Sequence, residues 1–294
     1  MSLQPHLPDT MIMENWPLSQ LTTLGTGGTA EFFAQPETVS QLQEIIRLAR
    51  NIPVYIIGGG SNIIIPDGKI PGLTISARKL DTLSWRGNFT AEIGAGLSLP
   101  GLVKTLRDMR LGGLEFAAGI PGTLGGGISG NAGAGGHGVC EYVDSVNAVD
   151  SSGNLVALGR GDFTYGYRYC GISGVIIASS VMSWDGSPWS EDVYSSFMAR
   201  RKSQPLGFRS AGCTFKNPEG YSAGKLLDEC GCKGLRIGGA VVSDVHANFI
   251  LNTGNAASHD VTELAELCAK RVYDYTGIML ETEIKTLSPC FSVQ

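Results

Sequence analysis

Apolar residues recur at helical spacing over residues 39–50, where Leu42, Ile45, Ile46 and Ala49 fall on one face. Thr38, just ahead, can accept a hydrogen bond from the first free amides, so the pattern predicts a helix over Val39–Arg50. The β-branched run Val54–Ile57 predicts a strand that feeds Gly58-Gly59-Gly60. Ile63–Ile65 and Leu73–Ile75 are further strand signals, and Phe32-Phe33-Ala34 is a short apolar run ended by Pro36. Residues 19–77 therefore read as a small α/β unit, preceded by an irregular leader over residues 1–18.

The pattern changes after residue 77. Ala91–Ile93 is a short strand signal, and Leu99, Leu102, Val103 and Leu106 line one side of a helix predicted over Leu97–Met109. A long glycine-rich stretch follows, then strands at Val143–Val149, Leu155–Leu158 and Gly174–Ser180, which make residues 78–188 a second unit. In residues 189–294 helices are predicted at Val193–Arg201, Ala223–Glu229 and Val261–Tyr275, with strands at Val241–Val242 and Phe249–Asn252. Segregated helices and strands give an α+β class for this third unit.

Composition narrows the function. Hydrophobic residues at 43% and charged residues at 17% support a substantial core and exclude disorder. The net charge of −5 offers no field for nucleic acid or an anionic membrane, so an anionic ligand has to be held by local donors. Seven cysteines, an odd number at spacings that fit no disulfide framework, read as reduced thiols of a cytoplasmic protein. No apolar run is long enough to span a bilayer. No His/Cys/Asp constellation suits a metal.

The 41 glycines are concentrated in stretches. Gly58-Gly59-Gly60-Ser61-Asn62 follows a strand, where amides free of side chains can form a concave anion site. The same residues can equally make a tight strand-to-loop turn. A Gly-x-Gly-x-x-Gly fingerprint fails at Ile63, and a phosphate-binding loop ending in Gly-Lys-Ser/Thr fails at Leu226 after Gly224-Lys225. The second stretch runs from Ala117 through Gly119-Ile120-Pro121-Gly122-Thr123-Leu124-Gly125-Gly126-Gly127 to Asn131-Ala132-Gly133. Small residues there let the chain close on a dinucleotide's diphosphate; a helix-packing role is the alternative.

These two stretches, together with Thr22–Gly28, Glu115–Thr123, Tyr165-Gly166-Tyr167-Arg168, Gln204-Pro205, Ser210–Pro218, Ala223–Leu226, Gly238–Ala240, His246–Phe249 and Leu280-Glu281-Thr282-Glu283, resemble the family of UDP-N-acetylenolpyruvoylglucosamine reductases over residues 20–286. The resemblance implies a two-part FAD-binding domain of the vanillyl-alcohol-oxidase type followed by a C-terminal α+β substrate domain. It also implies non-covalent FAD, NADPH as co-substrate, a UDP-sugar enolpyruvyl ether as substrate, a place in peptidoglycan precursor synthesis, and a monomeric enzyme. The short interval between Arg168 and Cys213 resembles the branch that lacks a tyrosine-bearing substrate loop.

The resemblance assigns cofactor contacts to Gly58, Gly59, Gly60, Ser61, Asn62, Gly119, Pro121, Gly122, Thr123, Gly125, Gly126, Asn131, Ala132 and Gly133. Tyr167, Lys216, Asn217 and Gln204 are implied on the substrate side, with Arg236 a weaker candidate. Arg168 is expected to grip the substrate carboxylate. Glu283 is expected to help polarise it, with Glu281 as the competing carboxylate. The family's usual serine acid is replaced by Cys213, and a thiol, with a reference pKa of about 8.5, can serve as the proton donor if it stays protonated. Two other readings are a flavin oxidoreductase of the same fold acting on another alcohol or sugar, and a nucleotide-binding protein without turnover.

Overall fold

A computed structural model of the protein describes residues 12–291. In chain order the first unit holds β1 (Ile12–Pro17), β2 (Thr29–Ala34), α1 (Val39–Leu48), β3 (Val54–Ile57), β4 (Ile63–Ile64) and β5 (Lys69–Ser76). Its sheet runs β1-β2-β5-β3, parallel except for β1, which pairs antiparallel with β2 from Ile12↔Ala34 to Pro17↔Thr29. Residues 12–17, expected as part of an irregular leader, thus form an edge strand; residues 1–11 of that leader lie outside the described residues. Thr38 caps α1 in a reciprocal box with Gln41, and Leu42, Ile45 and Ile46 are fully buried, each contributing on the order of 1.5–3 kcal/mol.

The second unit comprises β6 (Leu83–Trp85), β7 (Thr90–Gly94), α2 (Leu99–Asp108), α3 (Leu124–Ser129), the short hairpin β8 (Gly133–Ala134) and β9 (His137–Gly138), β10 (Val143–Asp150), β11 (Leu155–Gly159), the hairpin β12 (Tyr165–Gly166) and β13 (Tyr169–Cys170), and β14 (Val175–Ser183). Five strands form one antiparallel sheet in the order β11-β10-β14-β7-β6. Its core contains Leu102, Leu106, Ile128, Val146 and Met182. Helix α3 arises inside the glycine run: Gly125 fits against Ala95, whose carbonyl accepts its amide at 2.8 Å, and a Cβ there would stand 2.8 Å from the Ala95 Cβ.

Helix α4 (Glu191–Arg201) lays Tyr194 and Phe197 on this second core, although the sequence pattern placed it in the third unit. The third sheet contains β15 (Arg209–Cys213), then, after α5 (Ala223–Glu229), β16 (Arg236–Ile237), β17 (Ala240–Val242) and β18 (Phe249–Asn252), in the antiparallel order β15-β18-β17-β16. Helix α6 (Ser258–Thr276) buries Val261, Leu264, Cys268 and Val272 against it and ends at Gly277 in the left-handed region. The chain then returns to the first unit. There β19 (Lys285–Thr286) pairs parallel with β4, and Phe291 bridges to Val54. The architecture is α+β: one mixed and two antiparallel sheets, each packed against helices.

Candidate active site

The two glycine stretches meet. Ser61 Oγ donates to the Pro121 carbonyl at 3.1 Å. A Cβ on Gly59 would lie 2.4 Å from Gly122 Cα, and one on Gly58 would lie 2.5 Å from Thr123 Oγ1. The backbones therefore approach closer than any side chain permits. A cavity of about 410 Å³ opens beside this contact, lined by Gly59, Gly122, Thr123, Arg78, Asp81 and Ser98 among others. Thr123 precedes α3 but does not cap it, and its buried hydroxyl has no hydrogen-bond partner among the described residues. Gly119, in the left-handed region at φ +67°, and exposed Gly126 lie on the same stretch.

Asn131 ties this stretch to the hairpin that carries Arg168. Buried and at φ +42°, it accepts the Cys140 amide on Oδ1 at 3.0 Å and donates from Nδ2 to the Gly166 carbonyl at 2.8 Å. Its side chain is thereby committed to protein partners. Tyr167 and Arg168 form the two-residue tip between β12 and β13, with Arg168 in the left-handed region at φ +55°. From there Arg168 Nη1 donates to the Gly133 carbonyl at 2.8 Å. The neighbouring Ala132 continues the same backbone.

The third unit brings the remaining groups. Cys213 ends β15, opposite Phe249, after an irregularity at Gly212, which has φ +80°. Glu283 donates its amide to the Thr214 carbonyl at 2.8 Å, and Lys216 donates its amide to the Glu281 carbonyl at 2.9 Å. Between these two contacts the segment pairs through an isolated antiparallel bridge between Thr282 and Phe215. Asn62 Nδ2 donates to the Glu283 carbonyl at 3.1 Å, which connects the first glycine loop to the backbone of Glu283.

Arg168 Nε lies 2.6 Å from Glu283 Oε1, and both side chains are largely buried. The Nε–H is not directed along that contact and has no other acceptor among the described residues. Burial raises the Glu283 carboxyl above its usual range, against the opposing pull of Arg168, Lys216 and Arg201. Glu281, by contrast, is 72% exposed and pairs with Lys216. The structure thereby separates the two carboxylates the sequence left in competition. Burial, reinforced by Glu283, pushes the Cys213 thiol up to about 11, with Arg168 and Arg201 pulling the other way.

Arg201 was not singled out by the sequence. It leaves the end of α4, reaches toward the Ala118 carbonyl at 3.4 Å and donates from Nη1 to Gln204 Oε1 at 3.0 Å. Burial holds its guanidinium below the ordinary value. Gln204 is thus oriented by Arg201. Tyr167 Oη accepts the Asn217 amide at 3.3 Å, and Asn217 Oδ1 accepts the Ala223 amide at 3.0 Å. Arg236 is exposed on β16. His246 Nδ1 accepts the Asn248 amide in a local turn, and His137 is exposed beside Glu141. Among the described residues no cluster of three or more His, Cys, Asp or Glu side chains could hold a metal ion.

Known proteins resemble this chain in sequence and fold. Residues 30–159 match the family described as FAD binding domain, and residues 204–287 match the UDP-N-acetylenolpyruvoylglucosamine reductase C-terminal domain. The chain is 38% identical over 282 residues to the UDP-N-acetylenolpyruvoylglucosamine reductase of Geobacter metallireducens, covering 93% of each chain. It is 40% identical over 280 residues to that of Clostridioides difficile, covering 92% of this chain and 91% of the relative. The crystal structure of UDP-N-acetylenolpyruvylglucosamine reductase from Thermus caldophilus aligns with a TM-score of 0.79 at 33% identity, over 92% of this chain and 97% of that one. A grass-pollen glucose dehydrogenase, Phl p 4.0202, shares the fold over 63% of this chain and 43% of its own at 16% identity and a TM-score of 0.50.

Proposed function

This chain belongs to the UDP-N-acetylenolpyruvoylglucosamine reductase family, and on that premise we propose that Arg168, Glu283 and Cys213 carry its chemistry. The activity is reduction of the enolpyruvyl ether of UDP-N-acetylglucosamine to UDP-N-acetylmuramate, with FAD and NADPH, in peptidoglycan precursor synthesis. The residues present fit FAD. Glycines at 58, 59 and 122 let the two loops close on each other beside a cavity lined by Gly59, Gly122 and Thr123, and the Thr123 hydroxyl is buried without a partner among the described residues. When bound there, FAD would supply the hydride-transfer chemistry that links NADPH to the substrate double bond.

Hydride addition at the methylene carbon moves negative charge onto the substrate carboxylate. Arg168 would meet that charge with its unmatched Nε–H, in a setting where burial strengthens the interaction. A substrate carboxylate arriving there adds a like charge beside Glu283 and raises its carboxyl further, which favours the protonated, donating form. Cys213 would hold a proton on Sγ and deliver it to the adjacent carbon. With its thiol raised to about 11, it is protonated throughout the neutral range. Tyr167, Lys216, Asn217 and Gln204 would shape the substrate side, and Arg201 would add positive charge.

The observation that carries this reading is the buried Arg168–Glu283 pair, with its unmatched N–H, beside the glycine cradle and the Cys213 thiol. Anaerobic half-reactions test it. NADPH should bleach the flavin, and the enolpyruvyl substrate should restore the colour without oxygen; colour that never bleaches would leave a binding protein without turnover. Among the described residues no helix is long and apolar enough to cross a membrane. All seven cysteines are free thiols, which supports placing the protein in the cytoplasm.

A further inference from the structure

Arg78 lies two residues past the end of β5, and Gly58 follows β3. The two strands are parallel neighbours that finish together at Ile57↔Ser76. The topology therefore sets the arginine against the first glycine loop. Its Nε donates to the Gly58 carbonyl at 3.0 Å, and its Nη2 donates to the Gly59 carbonyl at 3.0 Å and the Leu21 carbonyl at 2.7 Å. The next carbonyl, Gly60, is held by the Thr23 amide at 3.0 Å. Three successive carbonyls are thus fixed toward one side.

The peptides are trans, and in a trans peptide the N–H points opposite to the C=O. The amides of Gly59, Gly60 and Ser61 must then face the other way, and none of them has an acceptor among the described residues. Gly60 can follow this path because it sits at φ +65°, where a Cβ would also lie 1.8 Å from the Leu21 carbonyl. Convergent free amides of this kind bind an anion. Unassisted, a glycine loop samples many peptide orientations, and fixing them would weaken binding by the ordering cost.

We infer that Arg78 is a positioning residue for the cofactor. By gripping the Gly58 and Gly59 carbonyls, and anchoring itself on that of Leu21, it presets the Gly59 and Gly60 amides to receive a diphosphate. The inference rests on the flavin reading above and adds a residue outside the glycine loops to it.

The full-length protein, its FAD removed and then restored, provides the test. The FAD dissociation constant is read from flavin fluorescence for wild type, Arg78→Met and Arg78→Lys, with inorganic pyrophosphate as competitor. Arg78→Met should bind FAD about tenfold to a hundredfold more weakly, the scale expected for lost hydrogen bonds from a charged donor. Arg78→Lys, which keeps the charge but not the fork, should fall between. Pyrophosphate should compete with FAD on wild type and much less on Arg78→Met, while the unfolding temperature without FAD changes little. FAD affinity in Arg78→Met equal to wild type would overturn the assignment. Should Arg78→Met fail to fold, Arg78→Lys with wild-type affinity and wild-type competition by pyrophosphate would overturn it. A wild-type protein that takes up no FAD would instead defeat the flavin reading.

Discussion

Arg168 and Glu283 come from different units of the fold and meet at 2.6 Å, the arginine on a hairpin tip of the second unit and the glutamate on the segment after the last long helix. Neither position makes the site alone. Replacing Glu283 by Gln keeps the shape but removes the titrating carboxyl. The rate of flavin reoxidation by substrate is expected to fall by about a hundredfold to a thousandfold, as for loss of one charge-stabilising group. Reduction by NADPH should persist. Stopped-flow absorbance separates the two halves, and an unchanged reoxidation rate would remove Glu283 from the chemistry. Because the folded carboxyl is raised, its contribution to stability is full below the unfolded value and is lost as pH rises through the folded one. Glu283→Gln should therefore gain stability relative to wild type toward neutral pH and lose that advantage in acid.

Cys213→Ser should keep substantial turnover, since an alcohol in the same place can still hand over a proton. Cys213→Ala should reoxidise reduced flavin slowly, by about a hundredfold or more, the scale of general acid catalysis. With the thiol at about 11, wild-type reoxidation should stay flat through neutral pH and decline only as the thiol ionises in strong alkali. Equal rates for alanine and wild type would exclude the role.

Asn131 spends its side chain on Cys140 and Gly166, so its replacement by Ala should act on the Arg168 hairpin. The expected result is a raised KM and lowered kcat for the enolpyruvyl substrate, together about tenfold to a hundredfold in kcat/KM, from a displaced guanidinium. FAD content should be largely preserved. The opposite split, with flavin lost and the substrate constants intact, would return Asn131 to a direct cofactor role.

Asp67 caps α6 from the first unit. Its carboxylate accepts the Ser258 amide at 2.9 Å, the His259 amide at 3.0 Å, and His259 Nδ1 at 3.0 Å. Burial pulls the Asp67 carboxyl up, but the bonds from Ser258 and His259 outweigh it and leave it below 3.8. The bond to Asp67 raises His259 above 6.5. The depressed group contributes above its unfolded value and is lost as pH falls through the folded one. The raised group contributes below 6.5 and is lost as pH climbs through its folded value. Asp67→Ala should cost about 1 kcal/mol, as for a lost helix cap, with the largest loss between those limits. Denaturant melts across pH would show it, and a pH-independent difference would contradict the assignment.

Much of the fold was legible because helices α1, α2 and α6 bury residues at regular spacing, and Thr38 announces its cap. The edge strand at Ile12–Pro17 was hidden by its lack of apolar–polar alternation, by Pro17 at its end and by Asn15, which sits at φ +53°. Helix α3 was masked by glycine, a poor helix former that is tolerated there because Gly125 must pass Ala95. The return of Lys285–Thr286 to β4 has no local signal, since parallel pairing across the whole chain is a tertiary event. In the site, the glycine loops, Arg168 and Cys213 could be read from motifs. Arg78 and Arg201 could not. A charged residue after a strand or at a helix end looks solvated until the fold supplies the carbonyls it holds.

The burial of Cys213 bears on reagents aimed at cysteine. Alkylating electrophiles react with the thiolate. A thiol at about 11 holds a thiolate population about a hundredfold or more below that of an ordinary exposed cysteine near neutral pH. The proposed proton donor is for that reason a slow target for covalent labelling, and an inhibitor designed to bond to it would have to bring its own base.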